Sequence, residues 1–210
     1  MKTVFGLLLL LLTPPVWGQN NDTNASKNLR QYYSGKFGYY HPDPKLNNGL
    51  LFGVDGITEF VKYDFCLSGA VDFYQKQTFN FFTAPEPDVS RQALILLPLH
   101  ANIGYKLFEV SDADTRMFIG GGGGYYFYFY SVEYNESSSS GGLFPVITLT
   151  PKSETKNGGN LFGTAYARML IGKIFIEPRF YFASPVEEKI GSYAYTINPS
   201  GFAVTLGFQY

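Results

Sequence analysis

The chain has one cysteine (Cys66), two histidines (His41 and His100), one tryptophan, and charged side chains at only 16% of its 210 positions. Globular chains usually carry about 25% charge. A single cysteine excludes an internal disulfide framework and a Cys-rich zinc centre. Two histidines exclude a multi-His metal site, and nothing else in the sequence implies a metal or other cofactor. Basic and acidic residues balance, 16 against 17, so no global field draws in nucleic acid. After residue 18 the longest apolar run is 94–99, far short of the roughly 20 residues a membrane helix needs. Helical periodicity is missing over every useful window, which excludes bundles and coiled coils.

What is present is 45% hydrophobic residues, 17 Tyr, 20 Phe and 23 Gly. That aromatic content excludes intrinsic disorder, and the length suits one domain. Lys2 precedes a short apolar run, 7–12, which Thr13-Pro14-Pro15 ends. Val16-Trp17-Gly18 then offers small or short residues where a signal peptidase reads. Residues 1–18 read as a secretory signal peptide cut before Gln19. Without it the chain has 15 basic and 17 acidic residues. Residues 19–33 begin Asn-rich and polar, a flexible periplasmic lead-in, and the barrel-forming part is 34–210.

From there the pattern is alternation, because successive strand side chains point to opposite faces. In 94–107, Ile95, Leu97, Leu99, Ala101, Ile103, Tyr105 and Leu107 share one face; Pro98, His100, Asn102, Gly104 and Lys106 share the other. Residues 173–182 set Ile174, Ile176, Pro178, Phe180 and Phe182 against Lys173, Glu177, Arg179 and Tyr181. Segments 36–42, 50–59, 67–73, 117–130, 163–171 and 202–210 complete about eight strands. The five glycines 120–124 lack the Lys-Ser/Thr and helix of a phosphate loop; in a strand they allow curvature and room for bulky neighbours. Connections alternate in length: 43–48, 80–92, 134–160 and 183–200 are long, whereas 60–64, 108–116 and 172–173 are short. Membrane β-barrels have this asymmetry, with short turns in the periplasm and long loops outside.

A soluble, lipocalin-like cup would put the apolar face inside. The polar face, however, carries too little charge for a solvated exterior, and the apolar face is dense in Leu, Ile, Phe and Tyr, as a lipid-facing band requires. Closing the sheet also satisfies every backbone group, which lipid demands.

Three stretches carry a resemblance: Gly121 to Tyr128 (glycines, then aromatics), Leu51-Phe52-Gly53-Val54-Asp55-Gly56, and the ending Val204-Thr205-Leu206-Gly207-Phe208-Gln209-Tyr210. The chain resembles the small outer-membrane β-barrel proteins of Gram-negative bacteria, the porin-like group that includes outer membrane protein W-like and A-like barrels. The resemblance implies an eight-stranded antiparallel up-and-down transmembrane β-barrel, outer-membrane lipid as its surroundings, and insertion by the barrel-assembly machinery. Leu206, Phe208 and Tyr210 match that machinery's signal, with Tyr in place of the commoner terminal Phe. It implies no single activity, since the group holds pores, adhesins, lipid-modifying enzymes and structural anchors.

The expected lumen face gathers Asp55, Glu59, Asp72, His100, Lys106, Arg168, Glu177 and Arg179, together with Lys36 and Lys76. A catalytic reading pairs His100 with Asp72 or Glu177 and looks to Ser68, but no nucleophile motif surrounds that serine. The simpler reading is a paired polar network filling a narrow barrel. Cys66 reads as a small apolar residue or as half of an intermolecular disulfide. Loop 134–160 is low-complexity, with an apolar stretch, 143–149, able to fold over the mouth or extend a strand; it is the candidate site for an extracellular partner. The first functional expectation is a porin-like barrel passing small or hydrophobic solutes. The alternative is a non-conducting structural or adhesive barrel acting through its external loops. A lipid-modifying enzyme comes last.

Overall fold

A computed structural model of the chain describes residues 28–42, 46, 48–77, 88–140, 146–190 and 193–210. The expected signal peptide and most of the lead-in lie outside them. Eight strands form a closed barrel: β1 (Leu29–Pro42), β2 (Gly49–Phe60), β3 (Phe65–Gln77), β4 (Asp88–Val110), β5 (Thr115–Ser140), β6 (Val146–Ile171), β7 (Ile174–Ala183) and β10 (Gly201–Gln209). Each pairs antiparallel with its sequence neighbour, and β1 pairs with β10 to close the ring. Two further strands, β8 (Val186–Ile190) and β9 (Tyr193–Ile197), pair only with each other. The antiparallel eight-stranded barrel is thus the observed fold, and no helix among the described residues is long and apolar enough to cross a membrane.

The barrel is inverted relative to a soluble protein. Phe37, Phe52, Ile103, Leu161, Ile174, Phe180 and Phe208 lie on the outside, with Ile103 64% and Leu161 67% exposed. Inside are Lys36, Asp55, Glu59, Asp72, His100, Arg116, Arg168, Glu177 and Arg179, all buried. Soluble proteins almost never bury so many charges or leave so broad an apolar surface uncovered. On β5 the outward face stays apolar or small from Met117 to Phe129, then turns polar at Ser131 and Glu133. At about 3.3 Å per residue and a tilt near 45°, that span is about 28 Å tall, close to the height of a lipid-facing band.

Three expectations need correction. β1 starts at Leu29, which pairs with Phe60, so part of the 19–33 lead-in is already barrel wall. The described parts of segment 134–160 are strand, not loop: β5 and β6 stay paired from Thr115↔Ile171 to Ser140↔Val146. Segment 183–200 holds the β8–β9 hairpin.

Two of the three short turns share a device, and the third, between β6 and β7, turns on Gly172 (φ 60°). One turn of 3-10 helix, Val61–Tyr63 or Ser111–Ala113, ends on an aspartate in the left-handed region, Asp64 (φ 55°) or Asp114 (φ 43°). Aspartate tolerates that conformation better than most side chains. Each aspartate then faces a lumen cation: Asp64 lies 3.2 Å from Lys106 and Asp114 lies 3.7 Å from Arg116.

Candidate functional site

The lumen is stacked in three layers. At the short-turn end, Glu59 takes Lys106 on Oε1 at 3.3 Å and Arg116 on Oε2 at 3.0 Å, and Tyr32 donates to the same Oε2 at 3.1 Å. Glu109 adds contacts to Lys106 (2.8 Å) and Arg30 (3.0 Å), closing this end with ions.

The middle layer holds three carboxylates and three basic side chains. Arg168 bridges Asp55 (2.6 Å) and Glu177 (2.5 Å), and Arg179 joins Glu177 from the other side at 2.8 Å. Lys36 lies 2.9 Å from Asp72 and within 4.0 Å of Asp55 and Glu177. His100 Nε2 meets Asp72 at 2.9 Å, and Tyr181 donates to the same carboxylate at 2.7 Å. Matched charges, most of them also hydrogen-bonded, meet the condition on which ions tolerate burial; Lys36 Nζ and Asp72 Oδ1 are held by their ion pair without a hydrogen bond. Gly53 makes the layer possible: a Cβ there would collide with Asp72 Oδ1 and the Lys36 chain.

The catalytic arrangement does not form among the described residues. The Asn102 amide donates to the Ser68 hydroxyl at 3.2 Å, and the other ring nitrogen of His100 faces Asn102. No group of three metal-binding side chains occurs among the described residues either. Cys66 points inward, is buried, and sits 3.9 Å from the Tyr166 hydroxyl, out of reach of another chain. The intermolecular disulfide is therefore excluded by position.

The third layer is aromatic. Tyr40, Tyr74, Tyr126, Tyr128, Tyr130 and Tyr181 pack with Leu51, Leu94, Leu96 and Phe162 in one buried cluster. Their hydroxyls find acceptors at the rim: Tyr74 on Leu46 O (3.1 Å), Tyr126 on Ser184 O (2.8 Å), Tyr128 on Glu188 (2.6 Å) and Tyr40 on Pro199 O. Buried phenols normally find such partners.

Between the ionic layers a cavity of about 20 Å³ remains, lined by Cys66, Ser68, Arg116, Tyr166 and Arg168 among others. That is room for about one water molecule.

Of the polar side chains expected in the lumen, Lys36, Asp55, Glu59, Asp72, His100, Lys106, Arg168, Glu177 and Arg179 are buried inside, whereas Lys76 is half-buried and donates to Asn48 O at 2.7 Å. Asn102, from the polar face of 94–107, and Thr164 join the same network, as do Arg116 and Tyr32, which were not anticipated. Residue 116 read as part of a short turn, and alternation fails across the neighbouring glycines. Of the terminal residues, Leu206 and Phe208 face outward beside β7 and β1, and Tyr210 is exposed.

Beyond the barrel rim, β4, β5 and β6 continue as a three-stranded sheet. Among the described residues, the β3–β4 ladder ends at Gln77↔Ala93 and the β6–β7 ladder at Ala183↔Phe162. Among the described residues, segment 146–160 of β6 pairs with β5 only, a free sheet edge. Past Phe129, β5 runs eleven more residues to Ser140, about 25 Å of height at the same tilt. The β8–β9 hairpin lies against the concave side of this sheet, with the Tyr130 and Tyr195 rings 4.9 Å apart. Burial beneath the hairpin pushes the Tyr195 phenol well above its ordinary range.

These features define a class: a closed, inverted antiparallel barrel with a filled interior and one extended end. No protein-family model and no curated protein sequence matches the chain. Among solved structures it is similar to Ail, the attachment invasion locus protein of Yersinia pestis, in complex with the heparin analogue sucrose octasulfate. That match has 12% identity and a TM-score of 0.45, covering 86% of this chain and 99% of that one. It is also similar to the neisserial surface protein A, at 10% identity and a TM-score of 0.42, covering 87% of this chain and 99% of that one. At this identity the likeness is one of strand arrangement.

Proposed function

We propose that the protein is a bacterial outer-membrane barrel whose lumen does not conduct, and which works through the sheet and hairpin it holds outside the membrane. The observation that carries this reading is the filled interior. Three layers of paired side chains occupy the lumen, and the gap between the ionic ones admits about one water. An eight-stranded barrel is only wide enough for its own side chains. The porin-like alternative has the barrel in its favour and the filled lumen against it.

The barrel then serves as an anchor. Surplus chain is spent at the long-connection end, where β5 and β6 extend past the apolar band and expose Glu133, Lys152, Ser153, Thr155 and Asn157. A protein that needed only to span the membrane would gain nothing from this extension. With long connections outside and short turns in the periplasm, the sheet faces the exterior and can meet another surface.

The test compares cells displaying the full chain with cells displaying a version lacking residues 135–158. Adhesion to epithelial monolayers and to matrix-coated plates should fall to background in the deletion, while the barrel still resists unfolding in detergent. Unchanged adhesion would refute the reading.

A further inference from the structure

The β8–β9 hairpin is not needed to close the barrel. β7 and β10 pair directly from Phe208↔Ile174 up to Gly201↔Tyr181, and the chain leaves and returns at the top of that ladder. The neck is fastened at two points: Ala183 N–H donates to the Ser200 hydroxyl (2.9 Å), which donates back to Ala183 O (3.0 Å), and Ser184 N–H donates to Leu161 O of β6 (3.4 Å). Pro185 and Pro199 stand one residue outside the neck on either arm, each with a fixed φ. The prolines stiffen both arms beside the neck while leaving their own ψ angles free to turn.

The hairpin has no ladder to any barrel strand. It is held by side chains. The Tyr128 hydroxyl donates to Glu188, the Tyr126 hydroxyl to Ser184 O, and the Tyr40 hydroxyl to Pro199 O. Tyr195 and Ile197 are buried in the aromatic cluster, beside Tyr130. A two-stranded ribbon of five-residue strands is marginal without such support.

We propose that β8–β9 is a hinged lid, pivoting at its cinched neck and latched by Tyr128–Glu188 over the aromatic layer. Opening leaves every barrel ladder intact and uncovers Tyr128, Tyr130 and Val132, a surface of aromatic faces ringed by phenol donors. Sub-global opening of this kind has its own free energy, separate from that of the whole barrel.

The test is amide hydrogen exchange on the full chain folded in lipid bilayers, read for β8 and β9 against β7 and β10. Residues 186–190 and 193–197 should exchange at least a hundredfold faster than the two barrel strands. The Tyr128→Phe variant removes one charge-assisted hydrogen bond, so hairpin exchange should rise about tenfold with β7 and β10 unchanged. As an independent readout, Val132→Cys in a Cys66→Ala background should react with a soluble maleimide, faster when Tyr128→Phe is added. The proposal is overturned if the hairpin exchanges at the rate of β7 and β10. It is equally overturned if Tyr128→Phe accelerates all four strands together.

Discussion

The two halves of the interior are held by different forces. Toward the short turns, carboxylates and cations interlock around Glu59 and Glu177, each group balanced by its neighbours. Toward the projecting end, tyrosines and leucines pack as they would in a soluble core. The ionic half lies within the lipid-facing band, where a filled lumen needs polar side chains that satisfy one another. The aromatic half reaches above the band, where water returns and apolar burial again drives packing. One continuous sheet passes through two solvents: its inward face turns from ions to aromatics at Tyr126, inside the band, and the aromatic packing continues above it through Tyr130 and Val132.

This contrast predicts that damage below spreads through the barrel whereas damage above stays local. Glu177→Ala strands Arg168, Arg179 and Lys36 beside one another, and we expect a loss of about 3–5 kcal/mol in the urea unfolding of the detergent-folded barrel. Gly53→Ala pushes a methyl group into the Lys36–Asp72 pair; the same assay should lose about 1–3 kcal/mol. At the turns, Asp64→Val should cost about 1–2 kcal/mol because a β-branched residue resists the left-handed conformation, whereas Asp64→Gly should cost far less. Tyr130→Ala removes a fully buried ring, a change that costs about 3–5 kcal/mol inside a single cooperative core. Here we expect the barrel's own unfolding to shift by less than about 1 kcal/mol, while proteolysis within residues 183–200 accelerates. A loss from Tyr130→Ala as large as that from Glu177→Ala would erase the distinction between the halves.

The same change of solvent explains what was legible in the sequence. Within the lipid band the outward face must be apolar, so period-two alternation stands out in 94–107 and 173–182, and the closed barrel follows from it. Parity holds through 91–106, and the register shifts of the β4–β5 pair fall near its ends, between Val89 and Arg91 and between Lys106 and Phe108. Above the band the outward face is polar. Alternation continues inward through Tyr130, Val132 and Tyr134, but Ser131, Glu133 and the serine run make the segment read as a loop. The alternation of Ala194, Tyr195, Thr196 and Ile197 was present as well, hidden in a short stretch between prolines. Arg116 escaped because the glycine run beside it carries no side chains to mark a face. Which carboxylate meets which cation depends on register across strands far apart in sequence, as with Asp55 and Arg168, and no spacing rule reveals it.

The most direct test of the filled lumen is single-channel recording of the folded barrel in a planar bilayer. The account predicts a silent membrane after insertion has been verified by protease protection. Discrete, reproducible conductance steps that change size in Lys36→Gln would contradict it.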